Sequence, residues 1–232
     1  MTEFVYVRPH SRSGTLTCAA VAEIADSLKQ GALAVLPTET GYMLAALATS
    51  ADAVKAAFTV KGRAASAVMH VACASLEMAG TVGILTEPAS RLLGQLTPGP
   101  VSVIVESTGL LADSEGMVTL NGTVGLRIPD HPGTLQVISA VGSPLTATSL
   151  NSSGSQLPSV DEAALRTLNW PARDVVYVVR DDDAIAYSSP STLVRVSDNS
   201  MEILRPGPIS ESDIRRVAMR LTPSTPGLPL GG

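Results

Sequence analysis

Gly31-Ala32-Leu33-Ala34-Val35-Leu36-Pro37-Thr38-Glu39-Thr40-Gly41-Tyr42 sets an apolar run directly before a polar turn. Residues 32–36 are short, uninterrupted and bounded by glycine and proline, the pattern of a strand buried on both faces. The turn expected over residues 37–42 carries two hydroxyls and a carboxylate at the strand end, where ligands of α/β sheets commonly sit. Just upstream, residues 17–30 have helical spacing, with Val21, Ile24, Ala25 and Leu28 on one face and Gly31 as the stop. A helix feeding a buried strand predicts an α/β architecture.

Outward from this stretch, strands are expected at residues 4–8, 68–74 and 101–106, and helices at 51–60 and 90–96. Residues 118–120 and 123–128 flank Asn121-Gly122, a pair that tolerates positive φ at both positions and so predicts a hairpin. A helix at 134–141 leads through an apolar stretch at 144–148 into a polar loop at 149–154. Strands are expected at 175–180 and 191–196, a shorter one at 201–204, and a terminal helix at 210–221. The hairpin requires an antiparallel pair, so the sheet should be mixed. No repeat or linker divides residues 1–221, which predicts one domain, followed by a mobile Pro/Gly-rich tail at 222–232.

Of the 232 residues, 45% are hydrophobic but only 3% aromatic, so the core must be built from Ala, Val, Leu and Ile. The net charge of −5 gives no global attraction to nucleic acid. Lysine occurs only at positions 29, 55 and 61, so arginine supplies most of the positive charge, a bias suited to two-pronged contacts with phosphate or carboxylate. Cys18 and Cys73 form neither a disulfide framework nor a four-thiolate zinc site, and both read as small buried residues. No apolar run reaches the roughly 20 residues that span a bilayer, and the first residues lack a secretory pattern. A cytoplasmic protein without membrane contact is expected.

Three polar loops border predicted strands. They are Pro37-Thr38-Glu39-Thr40, Lys61-Gly62-Arg63 and Thr148-Ser149-Leu150-Asn151-Ser152-Ser153-Gly154. Together they supply the hydroxyls, backbone donors and fixed positive charge that a nucleoside triphosphate requires. Neither a P-loop nor a dinucleotide-type glycine motif is present. His10, His70 and His131 are scattered, with no evident Ser or Cys partner, so neither a covalent nucleophile nor a dedicated metal site is expected.

In this order the segments resemble the YrdC/TsaC family of threonylcarbamoyladenylate synthases. The resemblance rests on residues 31–42, Lys61 with Arg63, Pro98-Gly99-Pro100, Val124-Gly125-Leu126-Arg127-Ile128-Pro129, residues 148–154, Ser191-Thr192 and Arg205-Pro206-Gly207. It implies a twisted mixed parallel/antiparallel sheet with flanking helices around a concave ligand site. It also implies an enzyme joining L-threonine, bicarbonate and ATP into threonylcarbamoyladenylate, with release of pyrophosphate, for modification of tRNA adenosine 37. The product would pass to a downstream transferase protein, and Mg²⁺ would arrive with ATP.

By resemblance Lys61 and Arg63 are catalytic. These two, with Arg127, Thr148, Ser149, Asn151, Ser191 and Arg205, would hold the nucleotide. Thr38, Thr40, Tyr42 and Arg63 would face the amino acid. The chain departs from the family pattern at Gly41, Met43, Ala64, Val68 and Leu150, which opens an alternative of a related enzyme with altered acceptor specificity. A non-catalytic nucleotide- or RNA-binding module is the other alternative, although few aromatics and the negative net charge disfavour direct nucleic-acid contact.

Overall fold

In the computed structural model, which describes residues 2–61, 68–111, 116–150, 160–170 and 175–219, the opening stretch forms β2 (Leu33–Thr38), buried along its whole length. β2 pairs in parallel with β9 (Val175–Val179) and antiparallel with β3 (Gly41–Ala45). Only Glu39 and Thr40 lie between β2 and β3, so the polar segment is a tight strand-to-strand reversal rather than the six-residue turn expected. Proline is tolerated here for a local reason. Pro37 faces Tyr42, whose carbonyl accepts from Leu150 N at 3.0 Å on the far side of β3, so this pair's backbone groups point outward. The β2–β9 ladder has already stopped at Val35, so no partner needs the missing N–H.

The remaining strands are β1 (Glu3–Val7), β4 (His70–Ala72), β5 (Val101–Glu106), β6 (Thr119–Leu120), β7 (Thr123–Arg127), β8 (Leu145–Ser149), β10 (Thr192–Val196) and β11 (Met201–Arg205). Among the described residues they form one mixed sheet in the order β1-β9-β2-β3-β8-β4-β7-β5-β10-β11, with β6 pairing to β7 through the Asn121-Gly122 turn. The mixed sheet agrees with the expectation from sequence.

Strand alternation divides the apolar residues between two cores. Ala34, Leu36, Met43, Ala45, Leu145 and Ala147 pack against α1 (Cys18–Lys29) and α5 (Pro132–Val141). Leu33, Val35, Leu44, Val71, Val103 and Leu126 face the opposite side, where they join a core shared with α2 (Ala51–Lys61), α3 (Leu76–Val82), α4 (Glu87–Leu96) and α7 (Glu211–Ala218). Each fully buried leucine contributes about 1.5–3 kcal/mol. The α1/α5 core takes no residue from β5, β7, β10 or β11, so the corresponding face of those strands is not covered by that pair of helices.

β3, α3 and α6 (Glu162–Arg166) were not expected from sequence, because each is too short or too uniformly apolar to show a period. The expected tail at 222–232 lies outside the described residues. Cys18 is exposed at the start of α1, contrary to expectation, since a helix N-terminus at the surface presents its first turn to water. Cys73 is buried, and burial pushes its thiol up to about 12. No described helix is long and apolar enough to cross a membrane.

Candidate functional site

β7 lies four places from β2 along the sheet, roughly 19 Å if the sheet were flat. Arg127 Nη2 nevertheless donates to Glu39 Oε1 at 2.7 Å. The sheet is therefore curled, with the face bearing Arg127 turned inward. That concave face is where the candidate site forms.

Its first cluster surrounds the β2–β3 reversal. Glu39 is 3% exposed, and its second oxygen accepts from Asp130 N at 2.8 Å. Arg127 Nη2 also donates to Thr40 Oγ1 at 3.3 Å. Thr38 donates to Gly41 O at 2.7 Å and accepts from Thr40 N, so its hydroxyl is committed to the reversal. With the Thr38 proton spent, the 3.3 Å Thr38–Thr40 contact is donated by Thr40. Thr40 is the more exposed of the two threonines expected to contact substrate.

The second cluster lies on β10 and β11. Arg205 donates through Nε and Nη2 to Ser191 O, at 3.2 and 2.9 Å, and through Nη2 to Ser191 Oγ at 3.2 Å. Ser191 Oγ is in turn 2.8 Å from the fully buried Ser102 Oγ. Burial lowers the Arg205 pKa, and the positive charge of Arg127 lowers it further, which places the two guanidiniums within electrostatic reach of each other. Arg205 remains a cation at neutral pH. Among the described residues no carboxylate is in contact with Arg205, so the concave face carries more positive than negative charge and suits an oxyanion.

The other expected residues divide. Ser149 pairs with Met43, on the side of β3 turned to the concave face, and is exposed. Thr148 pairs with Leu44, and alternation turns its side chain to the opposite core. It is buried there, and its hydroxyl has no hydrogen-bond partner among the described residues. Position 148 therefore presents only its main chain towards the concave face. Tyr42 also points away from that face. Its hydroxyl donates to Asp182 Oδ1 at 2.7 Å and accepts from Asp181 N at 3.1 Å; burial, together with the Asp182 carboxylate, holds its pKa above the ordinary phenol value, against the opposing pull of the Asp181 N–H. Lys61 ends α2 at intermediate exposure. Arg63 and Asn151 lie outside the described residues.

Several residues of the site had not been singled out from sequence. Glu39 was noted only as a carboxylate in a turn, and its role as the anchor of Arg127 depends on the curl. Ser102 had a visible signal, a lone hydroxyl within Val-Ser-Val-Ile-Val. His70 lies on the concave face, paired with Ala147, and a Cβ at Gly125 would stand 2.6 Å from its Cδ2, so glycine there makes room for the ring. The segment after β9 also closes on the reversal, where Ala186 N and Tyr187 N both donate to Glu39 O at 3.0 Å.

The comparisons with known proteins agree with this architecture. The Sua5/YciO/YrdC family model, described as Telomere recombination, matches residues 26–207. A Bacillus subtilis protein named threonylcarbamoyl-AMP synthase is 30% identical over 199 residues, covering 85% of this chain and 56% of its own length. A Mycobacterium tuberculosis protein named putative threonylcarbamoyl-AMP synthase is 32% identical over 219 residues, covering 94% of this chain and 95% of its own. This chain thus spans little more than half of the Bacillus relative and nearly all of the mycobacterial one. Among solved structures, Pyrococcus abyssi Sua5, described as a complex with L-threonine, superposes with a TM-score of 0.77 at 24% identity, covering 93% of this chain and 60% of that one. Escherichia coli YciO superposes with a TM-score of 0.74 at 20% identity, covering 92% of this chain and all of that one. These structural likenesses bear on fold alone. With a family match across most of its length and the expected mixed sheet, the chain belongs to the Sua5/YciO/YrdC family.

Proposed function

We propose that the protein is an ATP-dependent nucleotidyltransferase that makes threonylcarbamoyladenylate from L-threonine, bicarbonate and ATP, for tRNA modification. The observation that carries this reading is the convergence of Arg127, Arg205, Ser191 and Thr40 on one concave face with an excess of positive charge. The names of the Bacillus and mycobacterial relatives point the same way.

The chemistry proceeds from a carbamate, formed when the threonine amine combines with bicarbonate and releases water. A carbamate oxygen attacks the α-phosphorus of ATP, the bond to the β-phosphate oxygen breaks, and pyrophosphate departs. Negative charge grows on the leaving and equatorial oxygens, where fixed guanidiniums and hydroxyl donors stabilise it without reorganising. Lys61, Arg63, Ser149 and Asn151 are assigned to the triphosphate and adenylate, with Arg127, Ser191 and Arg205 beside them. Thr40 serves the amino-acid side.

Among the described residues no group of three or more His, Cys, Asp or Glu side chains could hold a metal. Mg²⁺ is assigned to the phosphates of ATP, because it binds through phosphate oxygens rather than a protein cage, and there it would neutralise charge.

Of the departures from the family pattern, Met43 is 2% exposed in the α1/α5 core, and Leu150 is fully buried in the opposite core. Leu150 thus lies behind the sheet, and Met43, although on the concave side of β3, is packed beneath α1 and α5, so both are absorbed by packing, which favours retained threonine use over an altered acceptor.

Purified protein with ATP, Mg²⁺ and bicarbonate should release pyrophosphate when L-threonine is added and not with other amino acids. Lys61→Ala and Arg63→Ala should each lower this turnover about 100-fold, the scale of one lost oxyanion donor, with circular dichroism unchanged. Bound ATP with no pyrophosphate from any amino acid would count against catalysis. Unchanged kinetics in both variants would remove them from the site.

A further inference from the structure

Arg127 is held from one side only. Both contacts made by its guanidinium run through Nη2, to Glu39 Oε1 and Thr40 Oγ1, while its buried Nε has no hydrogen-bond partner among the described residues. Arg127 is 8% exposed, so an unsatisfied N–H there is costly unless a ligand completes it. Glu39 meanwhile spends its other oxygen on Asp130 N, immediately before the N-cap of α5. Its carbonyl receives Ala186 N and Tyr187 N from the segment leading to Ser191. One residue thus ties together β2, the end of β7, the start of α5 and the approach to β10.

From this we infer that Glu39 is a positioning residue. It clamps Nη2 of Arg127 so that the adjacent, unpartnered Nε–H is presented to an oxyanion of the substrate, without itself touching substrate. This rests on the adenylating function proposed above and adds a part to it. A carboxylate beside a substrate-binding arginine weakens the positive field there, so a purely electrostatic account predicts that removing it would tighten anion binding. Positioning predicts the reverse. Arginine is long and rotamer-rich, and displacing its reacting edge by about 1 Å can cost about 100-fold in rate.

The test is a double-mutant cycle with Glu39→Gln and Arg127→Ala on the full chain. The amide introduced by Glu39→Gln would keep one acceptor for Arg127 Nη2 but turn a donor towards the Asp130 N–H. Each cycle is read on pyrophosphate release and, independently of turnover, on the calorimetric affinities for ATP and for L-threonine. Glu39→Gln should lower turnover at least about tenfold, and the double variant should be no worse than Arg127→Ala alone, because the influence of the Glu39 carboxylate on the substrate runs through Arg127.

Additive losses, or tighter ligand binding in Glu39→Gln, would overturn the inference. So would an Arg127→Ala variant that changes none of the three measurements. If the wild type binds both ligands but releases no pyrophosphate, the proposed activity falls, while the binding cycles still decide the role of Glu39. A Glu39→Asp variant, which keeps the charge but withdraws the oxygens by one methylene, should match Glu39→Gln in turnover. Wild-type kinetics in Glu39→Asp would assign the effect to charge rather than position and overturn the inference.

Discussion

An added methyl group at Gly207 would stand 2.4 Å from Thr192 N, 2.6 Å from Pro190 O and 2.8 Å from Ser191 C. All three are backbone atoms, which cannot swing aside as a side-chain tip can. The residue therefore lets the chain after β11 lie against the segment that presents Ser191 to Arg205. Gly207→Ala should cost about 1–3 kcal/mol through overpacking, a fall in Tm of roughly 2–12 °C. It should also weaken ATP binding, because Ser191 and Arg205 shift together. A variant that melts and binds like the wild type would mean that the two segments separate without consequence. The pairing of Glu39 with Arg127 belongs to the same scale. The carboxylate was visible in the sequence, but its partner 88 residues away was not.

α5 shows how one side chain can set an element's response to pH. His131 is 1% exposed and caps the helix, its Nδ1 accepting from Thr134 N at 3.0 Å. With Nδ1 an acceptor, Nε2 carries the proton and donates to Asp181 Oδ2 at 3.2 Å. Burial holds the His131 pKa below its usual value, even though Asp181, Asp130 and Glu39 each pull it upward. The unfolded chain takes up a proton near pH 6.5 that the folded chain refuses. Stability from neutral His131 is therefore present above about pH 6.5 and is lost as pH falls towards the depressed folded value. Thermal melts between about pH 7.5 and about pH 5 should show this decline in the wild type and a flatter profile in His131→Asn, since asparagine caps well and does not titrate. Parallel profiles would dismiss the histidine as its source.

At the level of the whole molecule, one sheet runs from β1 to β11, with a core on each face. Trp170, the single tryptophan, reports on one edge. Its ring packs edge-on against Phe4 of β1 at 5.4 Å, and its indole N–H donates to Leu165 O at 2.6 Å. If residues 1–221 form a single domain, denaturant unfolding followed by Trp170 fluorescence and by far-UV circular dichroism should give coincident transitions. Two separated midpoints would show that the edge bearing β1 and β9 unfolds independently.

Much of the framework was legible in the sequence because it is local. Buried runs, helical spacing and the Asn121-Gly122 turn placed most strands and helices, and the ordered motifs pointed to the family. Element ends were less legible. Capping by His131 and Ser210 decides where α5 and α7 begin, and β3 hid inside a stretch that reads as a turn. The arrangement of the site depended on tertiary structure, because it follows from how far the sheet curls and which way each strand faces. Alternation sends Thr148 to one side and Ser149 to the other, and the curl carries Arg127 to Glu39. Residue order in the chain encodes neither, since both depend on the packing of strands distant in sequence.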